Sequence, residues 1–402
     1  MAAASPATPP IYLDHAAATP LDPRVAEAMQ RAAAEAFANP SSPHAAGRRA
    51  RATLEDARER IVALLGGRAT GGGRDRLIFT SGATEANRLG MLGTAGATPG
   101  TVAVSPRDHG SLLAAADELA ARGWKVVRLP LAADGSTLAG AIRLADSTPG
   151  RLLVSTALVC GQTGLRESLA PLARADVGPR LFVHADATQA AAWDALDVAL
   201  LPVTSLVLAP HKFGGPRGIG GLLVRGDLDV APLTPGPQEL GLRGGTEAVS
   251  LAVGFATAFE CAVATRAEAA RRVAALRERF ETDFVAVAAR HGFAALVVGG
   301  DAGRAPHIAT IAVRGCDRQT LVMACDLAGI GLATGTACAS GSSDPSPAVA
   351  ALDLPDWVAR SAVRASLGIT TTPADIATAM HRLDAVFRGL AGAGLLATPG
   401  AG

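Results

Sequence analysis

The sequence predicts an α/β protein with a mostly parallel seven-stranded sheet in a large domain and a smaller α+β domain. Seven short aliphatic runs, each bounded by residues that break secondary structure, are typical of strands buried on both faces of a sheet. Helical stretches between several of these runs favour a doubly wound sheet whose strands are mostly parallel. The runs span residues 77–80, 102–105, 126–129, 152–155, 181–184, 206–208 and 222–224.

Two helical regions lie on either side of these runs. Residues 21–65 have a mainly helical pattern, and residues 249–290 have the pattern of one long amphipathic helix. The change of pattern at the start of the second region indicates a domain boundary near residue 255. We therefore expect a large domain over 22–255 and a small domain that combines 1–21 with 256–402.

The C-terminal region mixes short strands with helices. Two strand-like runs, one helix and a small, polar loop follow one another at residues 295–298, 310–313, 319–328 and 334–347. Thr372 and Asp375 then have the spacing of a capping box, with Pro373 at the first helical position. This arrangement predicts the start of the last helix.

Composition and charge exclude several classes of function. The 402 residues carry 37 basic and 36 acidic side chains, so a net charge of +1 gives no field that would attract nucleic acid or an anionic membrane. The five cysteines are scattered, with no C-x-x-C pair and no spacing typical of a zinc site, which favours a reducing compartment. Neither a signal peptide nor a membrane span is predicted. We therefore expect a cytoplasmic protein with no nucleic-acid partner, no membrane partner and no metal.

Three polar positions follow strands of the predicted sheet, where doubly wound proteins bind their ligands. A turn of small residues from Ser81 to Thr84 leads from a strand into a helix, which suits a phosphate but is also common without one. Asp186 follows another strand, either as a ligand-binding carboxylate or as the cap of the next helix. Lys212 follows a third, either as a desolvated amine able to form a Schiff base or as a solvated loop lysine.

One ligand would account for all three positions. Pyridoxal 5'-phosphate (PLP) needs a phosphate cradle, a carboxylate beside its pyridinium nitrogen and a lysine for the Schiff base. The order of these features resembles the class V aminotransferase group of PLP-dependent transferases of fold type I, and within it the cysteine desulfurases of iron–sulfur assembly and nitrogen fixation. The resemblance covers nearly the whole chain, through the motifs YLDHAAATP (12–20), NPSSPH (39–44), IFTSGATEAN (78–87), HADATQA (184–190), HKFGGPRGIGGLLVR (211–225), QELGLRGGTEAV (238–249), TGTACASGSSDPS (334–346) and VRASLG (363–368).

This resemblance implies a role for each matching residue of a cofactor site. Lys212 would hold PLP as a Schiff base, Asp186 would keep the ring nitrogen protonated, and His109 would stack on the ring and carry protons. A homodimer with shared sites is also implied, because one matching residue reaches the neighbouring subunit. The remaining contacts would be Ala83, Thr84 and His211 with the phosphate, Gln189 near the ring hydroxyl, and Thr246 with the phosphate of the neighbouring subunit.

The resemblance also implies the substrate and the nucleophile. The thiolate of Cys338 would attack the sulfur of L-cysteine, keep that sulfur as a persulfide and release L-alanine. A protein sulfur acceptor would then take the persulfide sulfur. Asn39 and Arg364 would hold the substrate carboxylate, for which the planar guanidinium of arginine is well suited. Cys261 and Cys325 lie in apolar helical patterns and are expected to be inert core residues.

Three positions depart from the family pattern. Gly161 stands where the family has an asparagine that contacts the ring hydroxyl, Ala209 stands in place of a serine, and Pro210 stands in place of a glycine. Each lost hydrogen bond is worth about 0.5–1.5 kcal/mol, so we expect loose PLP binding unless Gln162 or a water takes over. Two other functions stay open: another PLP reaction, such as that of a C–S lyase, epimerase or aminotransferase, and a non-catalytic scaffold that kept the fold.

Overall fold

The computed structural model describes residues 9–132, 134–148, 150–174, 180–300, 302–335 and 345–393. The chain divides into two compact units. The larger unit contains Ala18–Cys160 and Leu165–Ala267. The smaller unit contains the N-terminal segment up to Ala17, the short segment Gly161–Gly164, and the chain from Glu268 onward.

Short strands alternate with helices along most of the described chain. In chain order the strands are β1 (Ile11–Tyr12), β2 (Arg76–Thr80), β3 (Thr101–Val104), β4 (Lys125–Arg128), β5 (Leu152–Ala157), β6 (Leu181–Asp186), β7 (Ser205–Leu208), β8 (Gly220–Val224), β9 (Ala295–Val297), β10 (Ile308–Val313), β11 (Ile330–Gly331) and β12 (Ala362–Ser366).

The helices vary from one turn to more than forty residues. In chain order they are α1 (Pro23–Glu35), α2 (Ala45–Leu64), α3 (Ala83–Ala95), α4 (Gly110–Ala121), α5 (Leu138–Ser147), α6 (Ala170–Arg174), α7 (Val249–Arg290), α8 (Arg318–Leu327), α9 (Pro347–Ala350), α10 (Asp356–Ser361) and α11 (Pro373–Gly392). Two 3-10 turns, Pro210–Lys212 and Glu239–Gly241, lie between β7 and α7.

A seven-stranded sheet in the order β2-β8-β7-β6-β5-β3-β4 forms the centre of the larger unit. Neighbouring strands are parallel except at β8, which is antiparallel to β2 and to β7. Every residue of β3, β5, β7 and β8 is buried, as expected for strands covered on both faces. The predicted fold class is confirmed, and the seven predicted runs differ from the strands only at their ends. Strand β6 continues to Asp186 because its polar last residues pair with β5 and are buried.

Helix α7 carries the chain from the larger unit into the smaller one. It has the predicted bounds, and it is the one helix of the described chain whose length and hydropathy would allow a membrane span by composition. In the larger unit Phe255 and Phe259 of this helix are fully buried and pack against the ring of Phe213. The division between the units at Ala267 lies further along this helix than residue 255. No turn residue marks the division, because the helix is continuous there.

The smaller unit combines helices with two short sheets. Strands β12, β10 and β9 form an antiparallel sheet in that order, and β1 pairs with β11 in parallel. The start of α11 is the predicted capping box: Oγ1 of Thr372 accepts from the N–H of Asp375, and Oδ2 of Asp375 accepts from the N–H of Thr372. These elements support β12, which carries Arg364.

Candidate active site

The carboxyl ends of four strands carry the candidate residues of the larger unit. Strand β2 leads into the turn before α3, β3 leads to His109, β6 ends at Asp186, and β7 leads to Lys212. These four strands run in the same direction, so their carboxyl ends lie at one edge of the sheet. That edge is where doubly wound proteins bind ligands.

The carboxylate of Asp186 is buried and oriented by two neutral donors. The amide nitrogen of Asn87 donates to Oδ2 over 2.9 Å, and the backbone N–H of Thr188 donates to Oδ1 over 2.9 Å. Only 5% of Asp186 is exposed. The contact with Thr188 is a local turn of the kind expected for a cap, whereas the contact with Asn87 joins the end of β6 to helix α3.

His109 stands at the start of α4, where its side chain acts as the N-cap. Its Nδ1 accepts from the backbone N–H of Ser111 over 3.2 Å and lies 2.8 Å from the hydroxyl of Ser111. The preceding residue, Asp108, anchors this loop by accepting from the N–H groups of Ser105 and Ala157. Burial raises the pKa of Asp108 to about 7. The position of His109 is therefore fixed by the loop before it, through Asp108, and by the first turn of α4 after it, through Ser111.

The turn between β2 and α3 is open to a ligand. Helix α3 begins at Ala83, and its N-cap, Gly82, supplies no side-chain hydrogen bond. A Cβ placed on Gly82 would meet no atom within 4 Å, and Thr84 is exposed. Glu85 accepts from the N–H of Ser81 over 2.6 Å and pairs with Arg243 over 2.7 Å, so its charge is balanced.

Lys212 is half-buried and lies at the end of the 3-10 turn that follows β7. The turn is tied to Thr19, whose N–H and hydroxyl both donate to the carbonyl of His211. Burial, together with the positive charges of Lys212 and Arg217, lowers the pKa of His211 to about 4. The imidazole of His211 is therefore neutral at ordinary pH.

The described residues fit PLP by the chemistry of their polar atoms. Asp186 presents an oriented carboxylate that can accept from a protonated ring nitrogen. Oγ1 of Thr188 is buried and has no hydrogen-bond partner among the described residues, as expected of an atom that contacts a polar ligand. The open turn at Gly82 suits a phosphate, and the amine of Lys212 suits a covalent link.

Arg364 lies in β12 of the smaller unit and is only 4% exposed. Its Nη2 donates to Oδ1 of Asp14 over 2.7 Å, and its Nη1 donates to the carbonyl of Gly161 over 2.7 Å. Its Nε is buried and finds no partner among the described residues. The guanidinium is thus held by one charged and one neutral acceptor, and its Nε–H is among the N–H groups left for a further acceptor.

The structure changes the meaning of two departures from the family pattern. Pro210 is the first residue of a 3-10 turn, where a backbone N–H would have no partner within the turn, so its missing donor carries little cost. The amide oxygen of Gln162 accepts from the hydroxyl of Ser346, while its NH2 group is the donor that would replace the missing asparagine, so this expectation stays a prediction. Gly161 instead contributes its carbonyl to Arg364, and Ala209 is fully buried.

The other candidates have simpler surroundings. Asn39 is exposed between α1 and α2, where its side-chain oxygen accepts from the N–H of Ser41. Gln189 is half-buried in the turn after β6. Thr246 is exposed and lines a cavity of about 180 Å³ together with Ser81.

Cys338 lies outside the described residues, and the other four cysteines differ in their burial. Cys325 is fully buried, as predicted, and burial raises its pKa to about 12. Cys316 is also buried, which raises its pKa to about 11. The prediction that Cys261 is a core residue is wrong, because Cys261 is only half-buried on α7. Burial still raises the pKa of Cys261, so its thiol is a poor nucleophile.

Sequence reasoning missed the residues that orient the predicted ones. Asn87 contacts Asp186, Ser111 contacts His109, and Thr19 contacts the turn of Lys212. Asn87 and Thr19 belong to motifs that were already recognised, but no role followed from their type alone. The signal that the sequence did offer was Asn87 itself, an asparagine about one helical turn after the predicted phosphate turn.

Comparisons with known proteins agree with these observations. The profile of the aminotransferase class-V family matches residues 11–378. An IscS-like cysteine desulfurase of Mycobacterium tuberculosis is 36% identical over 384 residues, which are 92% of this chain and 95% of the relative. A solved structure of a NifS-like protein has 25% identity and a TM-score of 0.82, covering 94% of this chain and 99% of the other. A structure titled SspA in complex with cysteine has 26% identity and a TM-score of 0.73, covering 90% of this chain and 99% of the other.

Proposed function

The chain belongs to the aminotransferase class-V family and, within it, to the cysteine desulfurases, and we propose that it uses PLP to convert L-cysteine to L-alanine with a persulfide on Cys338. The observation that carries the proposal is the carboxylate of Asp186. It is buried at the carboxyl end of β6 and oriented by neutral donors, one strand away from Lys212. Such a carboxylate suits a protonated ring nitrogen, and the neighbouring lysine suits the covalent link.

Each candidate residue has a defined task in this reaction. When bound, PLP supplies an electron sink that weakens the bonds around the α-carbon of an amino acid. Lys212 holds the cofactor covalently, Asp186 keeps its ring nitrogen protonated, and His109 transfers protons. Ala83, Thr84, His211 and Gln189 contact the cofactor.

The sulfur transfer itself is carried by Cys338. Its thiolate forms a bond with the sulfur of L-cysteine while the bond between that sulfur and the β-carbon breaks. The electron pair stays on the carbon and takes up a proton, so alanine leaves and the sulfur remains on Cys338. Arg364 and Asn39 bind the substrate carboxylate, for which Arg364 offers an N–H group without a partner among the described residues.

The assembly and partners of the enzyme are part of the proposal. Thr246 is exposed, which suits a contact with the cofactor phosphate of a second subunit in a homodimer. The persulfide passes to a protein sulfur acceptor, and the scattered cysteines suit a reducing, cytoplasmic location.

A persulfide assay tests the proposal. Purified protein treated with L-cysteine is expected to release L-alanine and to carry one added sulfur on Cys338, measured by mass spectrometry of peptides. Cys338→Ala should abolish the added sulfur, whereas Cys261→Ala, which removes the half-buried thiol of α7, should leave it unchanged. Free sulfide or pyruvate from the Cys338→Ala protein at the wild-type rate would indicate another PLP reaction. A protein that binds no PLP would indicate a non-catalytic scaffold.

A further inference from the structure

A row of buried side chains leads to Asp186 in the larger unit. The amide nitrogen of Asn87 donates to Oδ2 of Asp186 over 2.9 Å, and the amide oxygen of Asn87 lies 3.0 Å from Nε2 of His184. On the other side of the imidazole, Nδ1 of His184 lies 2.8 Å from the hydroxyl of Ser205. Asn87, His184 and Ser205 are each at most 1% exposed, so these hydrogen bonds are sheltered from water.

The chemistry of these groups determines the direction of each hydrogen bond. A carboxylate only accepts, so the nitrogen of the Asn87 amide faces Asp186 and its oxygen faces His184. His184 therefore carries its proton on Nε2, and its Nδ1 accepts the hydroxyl proton of Ser205. Burial lowers the pKa of His184 to about 4, so the imidazole stays neutral and the direction is kept at ordinary pH.

A second branch leads from Asn87 to His109. The amide nitrogen of Asn87 also donates to the hydroxyl oxygen of Ser111 over 2.9 Å. The same hydroxyl lies 2.8 Å from Nδ1 of His109. The backbone N–H of Ser111 donates to the same nitrogen. Nδ1 of His109 is therefore an acceptor, and the neutral ring carries its proton on Nε2.

The approach of α3 to His184 is an independent sign of a constrained arrangement. Gly90 lies on α3, close to one turn after Asn87. A Cβ on Gly90 would lie 2.3 Å from Cε1 of His184, which is closer than real Cβ contacts allow. Glycine at this position lets the helix pack directly on the imidazole, and this packing brings the oxygen of Asn87 to Nε2 of His184.

We propose that Asn87 is a positioning residue that orients two groups of the site at once. It directs the carboxylate of Asp186 and, by holding the hydroxyl of Ser111, supports the second hydrogen bond to Nδ1 of His109 and so the tautomer with its proton on Nε2. The inference rests on the proposed function, because it takes Asp186 and His109 as the groups that meet PLP. It follows that a change at Asn87 affects both groups, whereas a change at Ser111 affects His109 alone.

Three variants separate this role from a merely structural one. Asn87→Leu is expected to weaken PLP binding about tenfold or more, the loss of one hydrogen bond to a charged group. Ser111→Ala should leave PLP affinity within about twofold of wild type and alter only the pH dependence of kcat/KM. Thr94→Val is the matched control, because Thr94 is buried on the same helix and donates to the carbonyl of Gly90. It should lower the thermal stability without changing either property.

Nitrogen-15 spectra of the imidazoles in the cofactor-free protein give a readout that needs no PLP. In wild type, His109 and His184 should both show a protonated Nε2 and an unprotonated Nδ1, with assignments from His109→Gln and His184→Gln. Asn87→Leu should lose this preference at His184 and weaken it at His109, whereas Ser111→Ala should weaken it at His109 only, because the backbone N–H of residue 111 still donates to Nδ1. If Asn87→Leu does not fold, the histidine tautomers in the wild-type and Ser111→Ala spectra still test the inference.

Two results would overturn the inference. One is an Asn87→Leu protein that binds PLP like wild type and keeps both tautomers. The other is a wild-type spectrum in which Nδ1 of His109 carries the proton. A wild-type protein that binds no PLP would instead contradict the proposed function, and the tautomers would still be read from the same spectra.

Discussion

Two buried charged side chains, one in each unit, are held in opposite ways. Asp186 of the larger unit accepts from the amide of Asn87 and from a backbone N–H, which are both neutral donors. Arg364 of the smaller unit pairs with the carboxylate of Asp14 and donates to the carbonyl of Gly161. The charge of Asp186 is thus oriented without being cancelled, whereas the charge of Arg364 already has a counter-ion.

This difference separates a preorganised group from one that must exchange partners. A protonated ring nitrogen can pair with Asp186 without displacing another charge, which keeps the cost of reorganisation low. In the proposed reaction, the carboxylate of L-cysteine would share Arg364 with Asp14. Changes in the larger unit should therefore act on cofactor binding and rate, and changes around Arg364 should act on substrate affinity.

The largest effect is expected from Lys212→Ala, which removes the proposed covalent link between the protein and PLP. Turnover should be abolished, and borohydride treatment should leave no cofactor mass on the protein. Lys125 is the other lysine of the sequence and lies exposed on β4, so Lys125→Ala is a matched control that should keep both properties. Mass spectrometry and an alanine assay measure the outcome. Cofactor fixed to the Lys212→Ala protein would place the link elsewhere.

Asp186→Asn tests whether the uncancelled charge matters. The amide keeps the shape of the side chain but cannot stabilise a cation, so kcat should fall about a hundredfold and PLP affinity about tenfold. Asp194→Asn is the control, because Asp194 forms a half-exposed ion pair with Arg166. Kinetics and titration of cofactor-free protein give both values. Equal losses in the two variants would mean that the charge of Asp186 has no special role.

Arg364→Gln examines the substrate side of the comparison. It removes the guanidinium and leaves Asp14 without its partner, so KM for L-cysteine should rise about thirtyfold, equivalent to about 2 kcal/mol. PLP affinity should stay within about twofold of wild type. Arg360→Gln is the control, since Arg360 is exposed on α10. The assignment fails if Arg364→Gln loses PLP and keeps its KM.

Asp14→Asn should have the smallest effect of the four variants. The direction of its change in KM for L-cysteine is the informative result. The neutral amide oxygen can still accept from Arg364, but it no longer competes with a substrate carboxylate for the positive charge. KM for L-cysteine should therefore fall about threefold, within the range measured for single partly exposed ion pairs. Asp356→Asn, in the exposed pair with Arg360, should leave KM unchanged. A rise in KM would mean that Asp14 mainly orients Arg364.

The fold was largely predictable because its signals are local. A buried parallel strand needs a short aliphatic run, so the seven runs from 77–80 to 222–224 located the sheet to within a few residues. The capping box at Thr372 likewise depends on side chains three positions apart. The division between the units was less accessible, because it lies within the continuous helix α7.

Local sequence patterns were enough to locate the strands, to order the motifs and to identify the candidate chemical groups, from Lys212 and Asp186 to Cys338. These depend on periodicity and residue type, which are written in short segments of the chain. The contact of Asn87 with Asp186 and the pair of Arg364 with Asp14, 350 residues away, became visible in the folded chain. Such contacts depend on how strands and helices are brought side by side, which no local pattern records.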